Sequence, residues 1–297
     1  MYEDIKKNKI KTGIVVFGFL TMVTLIIYFI CYMMDLGTIS IVIAMTFSII
    51  STIATYYNCD KIVLASVKAR PATKEEDLQL TNILEALMLT ADISTKPRLY
   101  VVDSNQANAF ATGRNPENAV ICVTSGLLEK LDYYELEGVV AHELAHIKNY
   151  DIMLSAIISV MVGFVVMLSD ICSRRIFRSS SDNDNNSSSK ANAILLIIGA
   201  ICFIISPLVS QIIQLAVSRR REYLADATAI SFTRNPDGLI SALLKLNGDD
   251  SELNVASKSQ AHMYIVTPFK NKRKEASSLF STHPSISERV EALRKLS

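Results

Sequence analysis

The chain has 297 residues, with 30 Lys and Arg against 29 Asp and Glu, so that its formal net charge is +1. This balance, without a basic run interleaved with aromatic residues, gives no argument for nucleic-acid binding. Half of the residues are apolar and the mean hydropathy is +0.29, which is high for a soluble protein and predicts membrane segments. Five scattered cysteines without a C-x-x-C pair favour buried small side chains over a disulfide framework or a cysteine metal site.

Two uncharged runs, 12–34 and 38–58, follow a lysine-rich N-terminus. Each is long enough to cross a hydrocarbon core of about 30 Å as a helix, so residues 1–60 are predicted to form a transmembrane hairpin. A cleaved signal peptide fits poorly, because the first run is too long and a second follows at once. Basic residues flank both ends of the hairpin, which places the chain after residue 60 in the cytoplasm.

The stretch 73–91 has an apolar stripe at helical spacing, and Thr73 with Glu76 forms a capping box at its start. Short strands are then predicted, separated by turn residues, at 99–102, 108–112 and 119–124. A small sheet therefore precedes the next helix.

That helix carries a His-Glu-x-x-His motif. Asp132 and Glu135 form a second capping box, so the motif lies on a helix. His142 and His146 are one turn apart on one face and can reach the same metal ion, for which zinc is expected. Glu143 lies beside that face, where it can act as a general base on water. In the alternative interpretation the pattern arises by chance and all three side chains are solvated.

Further apolar runs at 152–169 and 191–218 predict a second transmembrane hairpin, after which the chain returns to the cytoplasmic side. The connecting tract 179–189 is rich in serine and asparagine and is predicted to be a flexible loop. Basic residues in that connection oppose the positive-inside rule, so tilted, partly inserted or domain-packed helices remain alternatives. The catalytic domain is expected in two parts, at 61–151 and 219–297.

Glu222 follows the second apolar run and is the natural third metal ligand, since two histidines and a glutamate form a known catalytic zinc set. Asp226, one turn later, can accept a hydrogen bond from a ligating histidine and fix its tautomer. The alternative is that these side chains, with the preceding three arginines, only anchor a helix end at the membrane surface.

Together these motifs resemble the HtpX family of membrane-embedded zinc proteases, which are related to the CAAX prenyl endopeptidases. The likeness covers the chain from about residue 10 to its end. It rests on Arg70-Pro-Ala, Asn108 to Gly113, His142 to Asp151, Arg220 to Asp226 and Ser281 to Arg289.

The resemblance implies a gluzincin-type domain that binds one zinc ion through His142, His146 and Glu222, with Glu143 as the general base. It implies also that a strand containing Asn108, Ala109, Phe110 and Ala111 presents its edge to an extended substrate. His283 and Arg289 would assist at the scissile carbonyl. Asn108 as a turn residue and His283 as a cap of the terminal helix are the alternatives.

The sequence thus predicts a mainly α-helical (α+β) membrane protein with four transmembrane helices and a zinc metalloprotease domain with a small β-sheet. Its expected activity is endopeptidase cleavage of misfolded or damaged membrane proteins at the cytoplasmic face of the cell membrane. A CAAX-type processing enzyme is one rival. A scaffold or transporter is another, although the spans lack the charged residues that mark a transport pathway. The oligomeric state stays open.

Overall fold

A computed structural model describes residues 2–33, 36–181, 219–249, 251, 260–266, 268 and 284–296. These residues form a mainly helical protein with one small mixed sheet. The helices are α1 (Tyr2–Met33), α2 (Ile39–Ser66), α3 (Lys74–Ala91), α4 (Ser125–Lys130), α5 (Tyr133–Lys148), α6 (Asp151–Ser181), α7 (Arg219–Thr233), α8 (Pro236–Gly248) and α9 (Ile286–Arg294). The strands are β1 (Arg70–Pro71), β2 (Arg98–Val102), β3 (Ala109–Thr112) and β4 (Val120–Thr124).

The N-terminal hairpin is confirmed as two packed helices, α1 and α2. Within the described residues, Ile10–Phe29 and Ile39–Ser66 are the two helical segments long and apolar enough to cross a membrane on their own. Large apolar side chains such as Phe17, Val42 and Phe47 are exposed on them. Such an apolar surface is stable in hydrocarbon and not in water.

The second predicted hairpin is not confirmed. Residues 152–169 lie on α6. This helix is long and apolar enough to cross a membrane only when it is joined to α5, across a bend of 87°. The start of α6 packs on α1 through Leu154, Ile157 and Met161. Of the loop predicted at 179–189, residues 179–181 are instead the end of α6. The rest of that loop and the other run, 191–218, lie outside the described residues.

The sheet has the strand order β1-β2-β4-β3. Strands β2 and β4 are parallel, with Val101 opposite Val123, and β3 pairs antiparallel with β4, with Ala111 opposite Ile121. The three predicted strands are confirmed. The two-residue β1 was not predicted from the sequence. Arg70 and Pro71 form it by pairing with β2.

Helix α5 lies at the centre of the part that follows α2, between the sheet, α7 and α8. Its predicted capping box is confirmed: the Glu135 backbone N–H donates to Asp132, and the Asp132 N–H donates to Glu135. The capping box of α3 at Thr73 and Glu76 is confirmed as well. Gly138 allows α8 to approach closely, because a Cβ there would lie 2.8 Å from the backbone of Leu239.

The C-terminal end of α2 is attached to the sheet. Asp60 forms an ion pair with Arg98 on β2. Arg114, in the turn before β4, lies over the Tyr57 ring at 5.1 Å from its centroid and donates to the Tyr57 carbonyl. Helix α2 also kinks at Asn58, where the uncharged run ends. The sheet therefore begins where the apolar part of the hairpin ends.

Candidate metal centre

Helix α5 presents both motif histidines to one point. The Nε2 atoms of His142 and His146 lie 3.2 Å apart, as one helical turn between them allows. His142 is 1% exposed, and the side chain of His146 is also largely buried. The pair therefore sits inside the protein, close to the bend between α5 and α6.

Helix α7 brings Glu222 to the same point. Its Oε2 lies 3.8 Å from Nε2 of His142 and its Oε1 lies 3.7 Å from Nε2 of His146. One ligand atom from each of the three residues falls within 4.8 Å of the others. Tetrahedral zinc with bonds of about 2.1 Å keeps its ligand atoms about 3.4 Å apart, so these separations suit a shared ion.

Two carboxylates fix the histidine tautomers. His142 Nδ1 lies 2.9 Å from Oδ1 of Asp226, and His146 Nδ1 lies 3.0 Å from Oδ2 of Asp151. Because a carboxylate accepts, each Nδ1 carries a proton, which leaves Nε2 as the nitrogen that can bind a metal. The two Nε2 atoms and the Glu222 carboxylate thus converge on one point, which suits a cation.

The electrostatic environment also favours positive charge at this point. Burial alone would lower the pKa of His146, but the hydrogen bond to Asp151 and the charge of Glu222 raise it to about 9. For His142, burial and the nearby Arg289 lower the pKa. The neighbouring carboxylates therefore stabilise a cation beside His146.

Glu143 lines the same cavity from α5. Burial is the main cause that raises its pKa to about 7, opposed by His146 and by a backbone hydrogen bond from Ala111. A carboxyl with a pKa near neutrality can both accept and release a proton at physiological pH, which a general base must do. Its position beside the three ligands suits the predicted role.

Arg289 on α9 is 0% exposed and its guanidinium is bound on several sides. Its Nε and Nη2 donate to Asp226 at 2.9 and 2.6 Å, and its Nη1 donates to the carbonyl of Ile265 at 3.2 Å. Burial opposes ionisation of Asp226, yet Arg289 and His142 lower its pKa to about 2. Arg289 therefore holds the carboxylate that orients His142. His283, predicted beside it, lies outside the described residues.

The predicted substrate strand is present as β3, at the edge of the sheet formed by the described strands. Ala111 faces the cavity. Asn108 is buried, and its side chain donates to the Val266 carbonyl at 2.8 Å. The Ala109 carbonyl accepts from the Ile265 N–H at 3.0 Å. The outer edge of β3 is thus covered by a segment of the same chain.

Comparison with protein families decides the identity. The model of Peptidase family M48 matches residues 74–297, three quarters of the chain. The chain belongs to peptidase family M48.

Three full-length relatives of this M48 chain are each described as a protease HtpX homolog. That of Dictyoglomus thermophilum is 41% identical over 99% of this chain and 94% of the relative. That of Thermoanaerobacter pseudethanolicus is 41% identical over 100% of this chain and 98% of the relative. That of Listeria monocytogenes is 40% identical over the whole of both chains. The protein is therefore a metalloprotease of the HtpX type and, with its two apolar helices, a membrane protein.

Among solved structures, the crystal structure of S. mikatae Ste24p is similar to this M48 chain, with a TM-score of 0.47 and 20% sequence identity. The match covers 99% of this chain and 67% of the other.

Two residues of this M48 site escaped the sequence analysis. Asp151 orients His146 as Asp226 orients His142, but it lies five residues beyond His146, past the end of α5, where helical periodicity gives no signal. The left-handed backbone of Tyr150, with φ of 59°, turns the chain so that Asp151 points back. His262, which belongs to no motif of the sequence, lines the cavity.

Proposed function

We propose that this protein is a zinc-dependent endopeptidase that cleaves misfolded or damaged membrane proteins at the cytoplasmic face of the cell membrane. The observation that carries the proposal is the convergence of two histidine lone pairs and one carboxylate next to Glu143. The two histidines and the Glu222 carboxylate can bind a metal, and Glu143 can serve as the general base that peptide hydrolysis needs.

Zinc is the ion that the donor set fits best. Two imidazole nitrogens and one carboxylate oxygen form a catalytic zinc site with a fourth position open. Each histidine also has the acceptor that such a ligand requires at its other nitrogen, Asp226 for His142 and Asp151 for His146. When bound, zinc polarises the scissile carbonyl and makes the attacking water more acidic.

The chain itself supplies the proton transfers. Glu143 accepts a proton from the attacking water and delivers a proton to the leaving amine. Asp226 and Asp151 keep the proton of each histidine on Nδ1, and Arg289 fixes Asp226 in turn. Arg289 is in this proposal a positioning residue, since its donors already bind Asp226 and Ile265. The predicted assistance by His283 at the scissile carbonyl remains part of the proposal.

Placement supports a membrane-protein substrate. Asp151, which orients His146, is the first residue of α6, and α6 packs on the span α1. The sheet is attached to α2 at Tyr57 and Asp60, where the apolar run ends. The site therefore lies close to the membrane surface. Basic residues on both flanks of the first hairpin support a cytoplasmic orientation.

The test replaces Glu143 with Gln and compares it with Glu137→Gln, a matched change on the same helix outside the cavity. We expect Glu143→Gln to retain one zinc per chain and to lose cleavage of an unfolded membrane protein by about 10³-fold or more. Glu137→Gln should keep both. Zinc content is measured by atomic absorption and cleavage by loss of full-length substrate.

Full activity of Glu143→Gln would contradict its role as the base. Activity restricted to peptides with one defined C-terminal motif would instead identify a processing enzyme of the CAAX type.

A further inference from the structure

A segment of the chain lies along the outer edge of β3, and we name residues 260–266 the strap. The Ile265 N–H donates to the Ala109 carbonyl at 3.0 Å. The Asn108 side chain donates to the Val266 carbonyl at 2.8 Å and accepts from the Val266 N–H at 3.4 Å. The strap thus uses main-chain groups to pair with the edge.

The strap runs antiparallel to β3. Val266 lies beside Asn108, Ile265 beside Ala109, and the Tyr264 ring contacts the Phe110 ring with centroids 5.1 Å apart. Residue numbers therefore increase along the strap in the direction in which they decrease along β3. The strap makes one main-chain hydrogen bond to β3, and its residues 260–263 form a turn. An extended peptide that adds to a sheet edge uses the same main-chain groups of the edge strand.

The strap also forms a wall of the metal centre. His262, Met263, Tyr264 and Ile265 all line the cavity that contains the three ligands and Glu143. A polypeptide that approaches Glu143 along β3 therefore meets the strap.

One buried group shows that the strap is not bound optimally. Tyr264 is fully buried, and its hydroxyl has no hydrogen-bond partner among the described residues. A buried hydroxyl without a partner destabilises the state that buries it, and it regains hydrogen bonds when it reaches water. This cost offsets part of the stabilisation that the strap gains from burial of the Tyr264 ring against Phe110.

We propose that the strap is an autoinhibitory segment, which covers the edge of β3 where a substrate's backbone would bind and must leave β3 before a polypeptide reaches Glu143. This inference rests on the proposed function and adds its regulation. Substrate and strap compete for the Ala109 carbonyl and the Asn108 side chain. Their binding is mutually exclusive.

The strap is held also by α2 and α6. Gln260 donates to the Ser66 hydroxyl at the end of α2 at 2.8 Å, and Met263 Sδ accepts from the Ser159 hydroxyl on α6 at 2.9 Å. His262 Nε2 lies 3.3 Å from the Ser155 carbonyl on α6. Changes in the packing of α2 and α6 therefore act on the strap directly.

The deciding experiment locks the strap with a disulfide in the full-length protein. Ala109→Cys and Ile265→Cys place thiols on neighbouring antiparallel residues, whose Cβ atoms lie about 5 Å apart, within adjustment of disulfide geometry. We expect the oxidised double variant to keep its zinc and to lose cleavage of an unfolded membrane protein by about 100-fold or more. Reduction restores cleavage. Each single cysteine variant, oxidised in the same way, serves as the control.

Polypeptide binding separates this proposal from the proposed function. The same cysteine pair is placed in a Glu143→Gln chain, and binding of a fluorescent unfolded polypeptide is measured before and after reduction. Loss of binding on oxidation supports the strap even if the protein cleaves nothing. Equal binding, or equal cleavage, by the locked and reduced forms overturns it. Absence of cleavage by every form, including the unmodified chain, counts against the proposed function alone.

A second pair of variants tests the strap without a crosslink. Tyr264→Phe removes the unpartnered hydroxyl and should hold the strap more firmly, lowering cleavage by about threefold or more. Tyr264→Ala removes the contact with Phe110 and should raise cleavage by a similar factor. Zinc content reports whether each variant is folded. A zinc-loaded Tyr264→Ala that cleaves more slowly than the unmodified chain contradicts the proposal.

Discussion

In α2 the large apolar side chains of Val42, Phe47 and Ile50 face outward, whereas in α5 the ionisable side chains of Glu135, His142 and Glu143 face inward. The two helices are therefore stabilised in opposite ways. An outward apolar face is stable where the surroundings are hydrocarbon. A buried charge is stable only with partners, and Glu135 has them in Ser241 and Lys245.

The largest expected effect comes from breaking the inward cluster at the metal. Glu222→Ala removes one of three ligands, so the variant should lose its zinc and its cleavage activity by about 10³-fold or more. Glu291→Ala, on the exposed face of α9, is the control and should change neither. Zinc stoichiometry together with a cleavage assay checks both. A fully metallated Glu222→Ala protein would show that the metal lies elsewhere.

The next effect concerns the fully buried Arg289. Arg289→Met leaves Asp226 buried without its cation, and loss of one partner of a buried pair costs about 3–5 kcal/mol. Arg294→Met, exposed on the same helix, should cost less than about 0.5 kcal/mol. Thermal unfolding of the detergent-solubilised proteins measures both. Similar unfolding temperatures for the two variants would mean that the buried pair adds little to stability.

A third prediction tests the outward face directly. Ile50 and Leu89 are 61% and 86% exposed, but only Ile50 lies in a candidate span. Ile50→Lys should impair membrane insertion by about 2.5–3.5 kcal/mol, and Leu89→Lys on α3 should be nearly neutral. The fraction of each chain that resists carbonate extraction reports the difference. Equal insertion of the two variants would place α2 outside the hydrocarbon.

The smallest expected effects concern the two carboxylates behind the histidines. Asp226→Asn and Asp151→Asn should each weaken zinc binding by about 10- to 100-fold, since loss of such a partner disturbs ligand orientation. Asp226→Asn should be the more severe, because Asp226 also binds Arg289. Competition with a chelator measures the affinities. Unchanged zinc affinity in Asp151→Asn would remove Asp151 from the positioning role.

Local patterns made much of the fold predictable. The capping boxes at Thr73 and Asp132 fixed where α3 and α5 begin, and uncharged runs of more than 20 residues indicated α1 and α2. His142 and His146 were predicted to converge because their spacing is a property of the helix itself. Glu222 required only that a second helix return to the same point.

The remaining features depend on contacts between distant parts of the chain. Strand β1 is two residues long and exists only through β2. Asp151 reaches His146 because the chain bends between α5 and α6, and helical periodicity does not indicate such a contact. The strap is separated from β3 by about 150 residues of sequence, and its pairing leaves no mark in local composition. The predicted second hairpin stays a prediction, since an apolar run indicates hydrophobic surroundings but not whether lipid or protein provides them.

The bend between α5 and α6 gives the metal centre a mechanical connection to the bilayer. Asp151 lies at this bend. The first turn of α6 contacts the metal ligand His146, and the following turns pack on the candidate span α1. The carboxylate that orients the His146 imidazole is thus part of the same helix that packs on α1.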